Sequence, residues 1–82
     1  LKGAAGRDAI ASAIRAGYRL LDSAVNYENE GALGEAVCLA GVPRAALFLA
    51  SKLPGRHHAY ARALATIEES LFRARLDSFD LY

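Results

Sequence analysis

Apolar residues at helical spacing alternate along the chain with short continuous apolar runs. Helical spacing predicts three helices, over residues 7–16, 30–40 and 58–73. A glycine of the kind that ends helices follows the first two, at Gly17 and Gly41. The apolar runs predict three strands, over residues 18–22, 47–52 and 78–82, the second apolar enough to be buried on both faces. The predicted order is therefore helix, strand, helix, strand, helix, strand.

This alternation, with strands starting about thirty residues apart, is typical of a parallel sheet with right-handed crossovers. Two folds are compatible with this order of elements, an open doubly wound sheet and an eightfold barrel. No Gly-x-Gly-x-x-Gly follows a strand and no Walker-type loop occurs, which removes the main argument for an open dinucleotide-binding sheet. The favoured fold class is α/β, a (β/α)8 TIM-type barrel. Such a barrel takes about 250 residues, so we expect residues 1–82 to be a partial barrel domain of about three βα units.

Composition supports the idea of a partial domain. The chain is 54% hydrophobic, which is high for 82 residues, because small chains bury only a limited fraction of their surface. We therefore expect this segment alone not to fold as a stable monomer, because its strand edges would be unpaired, and hence to be inactive by itself.

Charge and cysteine content exclude several classes of partner. The formal net charge is +1 and no stripe of Lys and Arg forms, which argues against nucleic acid. No apolar run approaches the length of a membrane span. The single cysteine, Cys38, excludes an internal disulfide and fits a reducing compartment, so we expect a cytoplasmic protein. The oligomeric state stays open.

Three polar residues fall at or just beyond the ends of consecutive predicted strands. Asp22 ends one strand, Tyr27 lies in the following loop, and Lys52 ends the next strand. In a barrel the loops after the strands carry the active site, and neighbouring strands are about 4.8 Å apart. We therefore expect Asp22 and Lys52 to form a buried pair within reach of Tyr27.

This grouping suits proton donation. An ordinary phenol has a pKa near 10, and a nearby ammonium favours the phenolate and so makes the phenol a better acid near neutral pH. Such a tyrosine can protonate an oxygen on which negative charge develops, as when a hydride adds to a carbonyl. The alternative is that Asp22 and Lys52 form a purely structural ion pair and that Tyr27 is an ordinary loop aromatic.

The motifs around these residues resemble the aldo/keto reductases over almost the whole chain. They are Gly-Tyr-Arg-Leu-Leu-Asp-Ser-Ala (17–24), Asn-Tyr-Glu-Asn-Glu (26–30), Leu-Gly-Glu-Ala-Val (33–37), Gly-Val-Pro-Arg (41–44), Leu-Phe-Leu-Ala-Ser-Lys-Leu-Pro-Gly-Arg (47–56) and Ser-Leu-Phe-Arg-Ala-Arg-Leu-Asp-Ser-Phe-Asp-Leu-Tyr (70–82). The resemblance implies an NADP(H)-dependent oxidoreductase on a (β/α)8 barrel, which interconverts small aldehydes or ketones and alcohols.

By the same resemblance, Tyr27 is the general acid and Lys52 the residue that makes it more acidic. Asp22 is the partner of Lys52 and also a cofactor-binding residue close to the nicotinamide ribose. The family's fourth catalytic residue is a histidine shortly after a segment like 80–82, so it lies outside this sequence. The family often has threonine where this chain has Ser23 and Ser51. The alternative is a truncated, inactive barrel remnant or a protein-binding regulatory subunit.

Other residues receive structural interpretations. His57 and His58 are adjacent, and no Cys, Asp or Glu at ligand spacing accompanies them, so we expect a surface loop and no metal site. Tyr60 lies on the apolar stripe of the third helix and is predicted to pack in the core. Glu28 and Glu30 are expected to serve the N-terminus of the second helix, where negative charge is favoured.

Overall fold

The computed structural model describes residues 2–82, which form three helices and two strands. The helices are α1 (Gly3–Arg15), α2 (Glu30–Ala40) and α3 (Tyr60–Ala74), and the strands are β1 (Leu20–Asp22) and β2 (Phe48–Ala50). Single turns of 3-10 helix lie between them at Val25–Tyr27, Arg44–Ala46 and Gly55–His57. None of the described helices is long and apolar enough to cross a membrane.

The two strands are parallel and hydrogen-bonded to each other. Their register pairs Leu20 with Phe48, Leu21 with Leu49 and Asp22 with Ala50, and α2 forms the crossover between them. The predicted third strand is reduced to one parallel bridge between Ala50 and Leu81 on the other side of β2. The predicted parallel arrangement is therefore confirmed, and the ends of all three segments lie side by side.

One apolar core joins the first two helices to the strands. Its buried members are Ile14 from α1, Leu33 and Val37 from α2, and Leu47 and Leu49 at β2. Helix α2 ends where the sequence predicts, at Gly41, which takes the left-handed conformation with φ 72°. Helix α1, in contrast, begins at Gly3, four residues before the predicted start.

Helix α3 buries a different face from the predicted one. Tyr60 is 82% exposed, so its assignment to the core is wrong for the described residues. The buried residues of α3 are small, namely Thr66, Ser70 and Ala74, and the Ser70 hydroxyl is hydrogen-bonded to the Tyr82 hydroxyl at 2.7 Å. This face lets α3 come close to α2. The prediction for β2 is also wrong in part, because Phe48 is exposed while Leu49 and Ala50 are buried.

The contact between α2 and α3 depends on glycine. A Cβ on Gly34 would lie 1.8 Å from the carbonyl oxygen of Ala74, far inside van der Waals contact. A Cβ on Gly31, one turn earlier, would lie at an ordinary 3.5 Å from the carbonyl oxygen of Arg73. The absence of a side chain at Gly34 therefore sets how closely the two helices approach.

Candidate functional site

The ends of the two parallel strands place Asp22 and Lys52 next to each other. Asp22 is the last residue of β1, and Lys52 lies two residues beyond the end of β2. Backbone hydrogen bonds continue past the strands, from Ser23 N to Ala50 O at 2.7 Å and from Val25 N to Lys52 O at 3.2 Å. The loop that carries Tyr27 is thereby held against the segment that carries Lys52.

The Lys52 ammonium contacts three oxygen atoms. It donates to Asp22 Oδ2 at 2.7 Å, to the Ser23 carbonyl oxygen at 2.9 Å and to the Tyr27 hydroxyl at 3.4 Å. An ammonium has three donors, so these contacts account for all of them. The nitrogen also lies 4.7 Å from the centroid of the Tyr27 ring. The structure thus brings together the three residues that the sequence singled out.

The electrostatics of this group favour a charged lysine. The hydrogen bond to Asp22 raises the pKa of Lys52 above its usual 10.5, partial burial opposes this, and the Tyr27 contact adds to it. However, the side chains of Lys52 and Asp22 are 48% and 53% exposed. The expected burial of the pair is therefore wrong, because in the described residues only two strand ends and one loop surround it. Solvent screens the pair accordingly.

The Tyr27 loop has little freedom. Tyr27 ends the 3-10 turn Val25–Tyr27, and Glu28 follows in the left-handed conformation with φ 56° and ψ 32°. The Ser23 hydroxyl donates to Asn29 Oδ1 at 2.5 Å across the base of the loop. Glu28 also forms an ion pair with Lys2 at 2.6 Å, which is exposed. The loop is therefore closed on itself before α2 begins.

A buried polar cluster, which the sequence did not predict, lies beneath this loop. Glu30 is only 2% exposed, accepts a hydrogen bond from the Ser51 hydroxyl and lies 3.3 Å from Arg73 Nη2. Ser51 is equally buried. The parallel register was the only signal for this contact, since it places residues after β1 near residues after β2.

Asp80 holds the third segment against β2. Its Oδ2 accepts from the backbone N–H of Leu49 at 2.8 Å and from Arg44 Nη1 at 2.9 Å. The Leu49 N–H lowers the pKa of Asp80 below its ordinary 3.8, and Arg44 lowers it further. Arg44 also donates to the carbonyl oxygens of Leu47 and Ser78. This cluster is structural.

The histidine loop has a structural explanation. Thr66 Oγ1 donates to the Arg62 carbonyl oxygen at 2.8 Å, so it accepts from His57 Nδ1 at 2.9 Å, and the histidine ties its loop to α3. Partial burial lowers the pKa of His57, and Arg56 lowers it further. Arg56 itself donates to Asn26 Oδ1 at 3.0 Å. Within residues 2–82 no group of three His, Cys, Asp or Glu residues gathers as a metal site.

Comparison with known proteins gives a consistent result. The model of the aldo/keto reductase family matches residues 4–82. The chain is 52% identical over 81 residues to 2,5-diketo-D-gluconic acid reductase B of Corynebacterium sp., covering 99% of this chain and 29% of that protein. It is 50% identical over 74 residues to morphine 6-dehydrogenase of Pseudomonas putida, covering 90% of this chain and 25% of that protein.

Solved structures agree in the fold. The aldo/keto reductase of Brucella melitensis matches with a TM-score of 0.90 at 36% identity, over 94% of this chain and 30% of that one. An aldo-keto reductase of Bombyx mori, solved in complex with NADP, matches with a TM-score of 0.88 at 39% identity, over 93% of this chain and 26% of that one. The chain thus spans less than a third of the length of these relatives. These matches confirm the predicted fragment of an α/β barrel.

Proposed function

Because this chain belongs to the aldo/keto reductase family, we propose that the whole protein is an NADP(H)-dependent oxidoreductase that reduces aldehydes or ketones to alcohols. The observation that supports this most strongly is the Lys52 ammonium, which contacts both the Asp22 carboxylate and the Tyr27 hydroxyl. A structural ion pair alone would not require the third contact.

Asp22 has the features of a cofactor-binding residue. Lys52 binds only one of its two carboxylate oxygens, and about half of the side chain is exposed, so a ribose hydroxyl has room to donate to the carboxylate. The Bombyx mori relative was solved with NADP, which supports the choice of cofactor. Bound NADPH supplies the hydride that a carbonyl carbon accepts.

Tyr27 gives its phenolic proton to the carbonyl oxygen of the substrate, which becomes the alcohol hydroxyl, and Tyr27 is left as a phenolate. Lys52 stabilises that phenolate from 3.4 Å, an attraction of about 1 kcal/mol at the dielectric constant of water. The attraction strengthens when a bound substrate excludes water. Asp22 holds the Lys52 ammonium in position at 2.7 Å and raises its pKa further.

The test is NADPH consumption by the whole protein with a simple aldehyde and with 2,5-diketo-D-gluconic acid, the compound in the name of the Corynebacterium relative. We expect turnover, and we expect Tyr27→Phe to lower kcat by roughly 10²–10⁴-fold, the usual contribution of a general acid. Tyr60→Phe is the matched control, because Tyr60 is exposed on α3.

An unchanged kcat in Tyr27→Phe would show that the assigned acid is wrong. A folded whole protein that binds no NADPH and turns over neither substrate would instead support the regulatory or inactive alternative.

A further inference from the structure

We propose that Glu30 and Ser51 form a positioning pair that fixes Tyr27 relative to Lys52, an inference that rests on the proposed function. Glu30 is the first residue of α2 and follows Tyr27 by three positions, while Ser51 directly precedes Lys52. The Ser51 hydroxyl donates to Glu30 Oε2. This one contact therefore joins the loop of the acid to the segment of the amine.

The loop between β1 and α2 is attached to the Lys52 segment at both ends. Near its start, Val25 N donates to Lys52 O at 3.2 Å. After its end, Glu30 accepts from Ser51. Tyr27 lies between these two attachments. Without the second, the loop would be held to this segment only near its start, by that backbone hydrogen bond and one exposed side-chain hydrogen bond, and the contact between the Tyr27 hydroxyl and the Lys52 ammonium would lengthen.

Burial explains why this pair can impose a geometry on its neighbours. Tyr27 and Lys52 are about half exposed, and water competes for their mutual hydrogen bond. Glu30 and Ser51 are each 2% exposed, so water cannot replace either partner. A buried carboxylate is retained only where it is paired and hydrogen-bonded, which defines the position of the side chain. The exposed contact between Tyr27 and Lys52 thus takes its geometry from the buried contact between Glu30 and Ser51.

Glu30 has a second partner whose role is separable. Arg73 from α3 lies 3.3 Å from Glu30 Oε1, and its side chain is 44% exposed. This ion pair attaches α3 to α2, which is a structural role, whereas the Ser51 contact uses the other carboxylate oxygen. Loss of the Ser51 hydroxyl leaves the ion pair in place, and glutamine at position 73 removes the charge but keeps an amide that can donate to the buried carboxylate.

The experiment compares three variants of the whole protein. Ser51→Ala removes the contact with Glu30, and Ser51→Thr keeps the hydroxyl. Arg73→Gln removes the ion pair with Glu30 and also the exposed ion pair with Glu69. A displacement of about 1 Å in a reacting group can cost 10²-fold in rate. We therefore expect Ser51→Ala to lower kcat by about 10- to 100-fold with KM nearly unchanged. We expect Ser51→Thr to restore kcat, and Arg73→Gln to keep it within about twofold.

A second readout is independent of activity. Tyrosine labelled isotopically at Cζ gives an NMR resonance for Tyr27, assigned by its loss in Tyr27→Phe. We expect this resonance to shift in Ser51→Ala and to stay in place in Arg73→Gln and Ser51→Thr. Thermal unfolding of each variant verifies that the protein is folded at the temperature of measurement.

The outcomes separate this proposal from the proposed function. Absence of turnover in the parent protein would reject the proposed function, and the Tyr27 resonance would then decide the positioning role by itself. An unmoved resonance in Ser51→Ala would overturn the positioning role. A loss of kcat in Arg73→Gln as large as that in Ser51→Ala would also overturn it, because the cluster would then act through general stability.

Discussion

The packing of α2 against α3 gives a quantitative prediction for Gly34→Ala. The added Cβ would lie 1.8 Å from the Ala74 carbonyl oxygen, far inside the 3.4 Å at which ordinary contact begins. The obstructing atom belongs to the backbone of a helix, so it cannot turn away as a flexible side chain would. The two helices must separate, and the buried contacts between them weaken.

The size of the effect follows from two opposing contributions. Overpacking of a core costs about 1–3 kcal/mol, and a backbone clash lies at the upper end. Alanine is a better helix former than glycine by about 1 kcal/mol, which offsets part of this. We expect a net destabilisation of about 2 kcal/mol. Gly31→Ala is the matched control, because its Cβ meets only an ordinary contact at 3.5 Å, so we expect it to be neutral or stabilising by up to about 1 kcal/mol.

The assay is urea-induced unfolding of the whole protein, followed by far-ultraviolet circular dichroism, for the parent and both variants. The account predicts a lower midpoint for Gly34→Ala than for Gly31→Ala, a difference of about 2–3 kcal/mol in the free energy of unfolding. Equal stability of the two variants would refute the close approach of α2 and α3 at Gly34.

Three further predictions concern charge and backbone. Asp80→Asn should lower the free energy of unfolding at neutral pH and make it depend less on pH in acid. The folded pKa of Asp80 lies below 3.8, so the stabilisation by its carboxylate is present above that value and is lost as pH falls through the folded pKa. Acid unfolding curves that match the parent would contradict this. Glu28→Gly should give a higher thermal midpoint than Glu28→Gln. Both variants lose the ion pair with Lys2, but only glycine adopts the φ of 56° without backbone strain. The reverse order of midpoints would argue against strain at this position. Asp22→Asn should lower the pKa of Lys52 towards 10.5, which an NMR titration of the lysine side-chain resonance measures directly. An unmoved pKa would separate Asp22 from Lys52.

The sequence predicted the features that depend on local pattern and on parallel topology. Helical spacing located α2, and the apolar runs located both strands, because these elements bury one face against a shared core. Once the strands are parallel, their ends must meet, so the contact of Lys52 with Asp22 and Tyr27 followed from chain order.

The features that depend on distant partners were not predictable in this way. The apolar stripe of α3 pointed to Tyr60, yet the helix buries Ser70 and Ala74, because the glycine at position 34 admits only a small-residue face. Glu30 was interpreted as a charge at a helix start, but Arg73, 43 residues away, and Ser51 make its burial possible. No local sequence pattern predicts contacts with such distant residues.

A double-mutant cycle on the whole protein tests most directly whether Lys52 acts through Tyr27. The variants are Tyr27→Phe, Lys52→Met and the two combined, with kcat measured for NADPH-dependent reduction of one aldehyde. The account predicts that the double variant is about as slow as Tyr27→Phe alone, because Lys52 has no phenolate left to stabilise. Losses that multiply in the double variant would show that the two residues act independently, and the account would be contradicted.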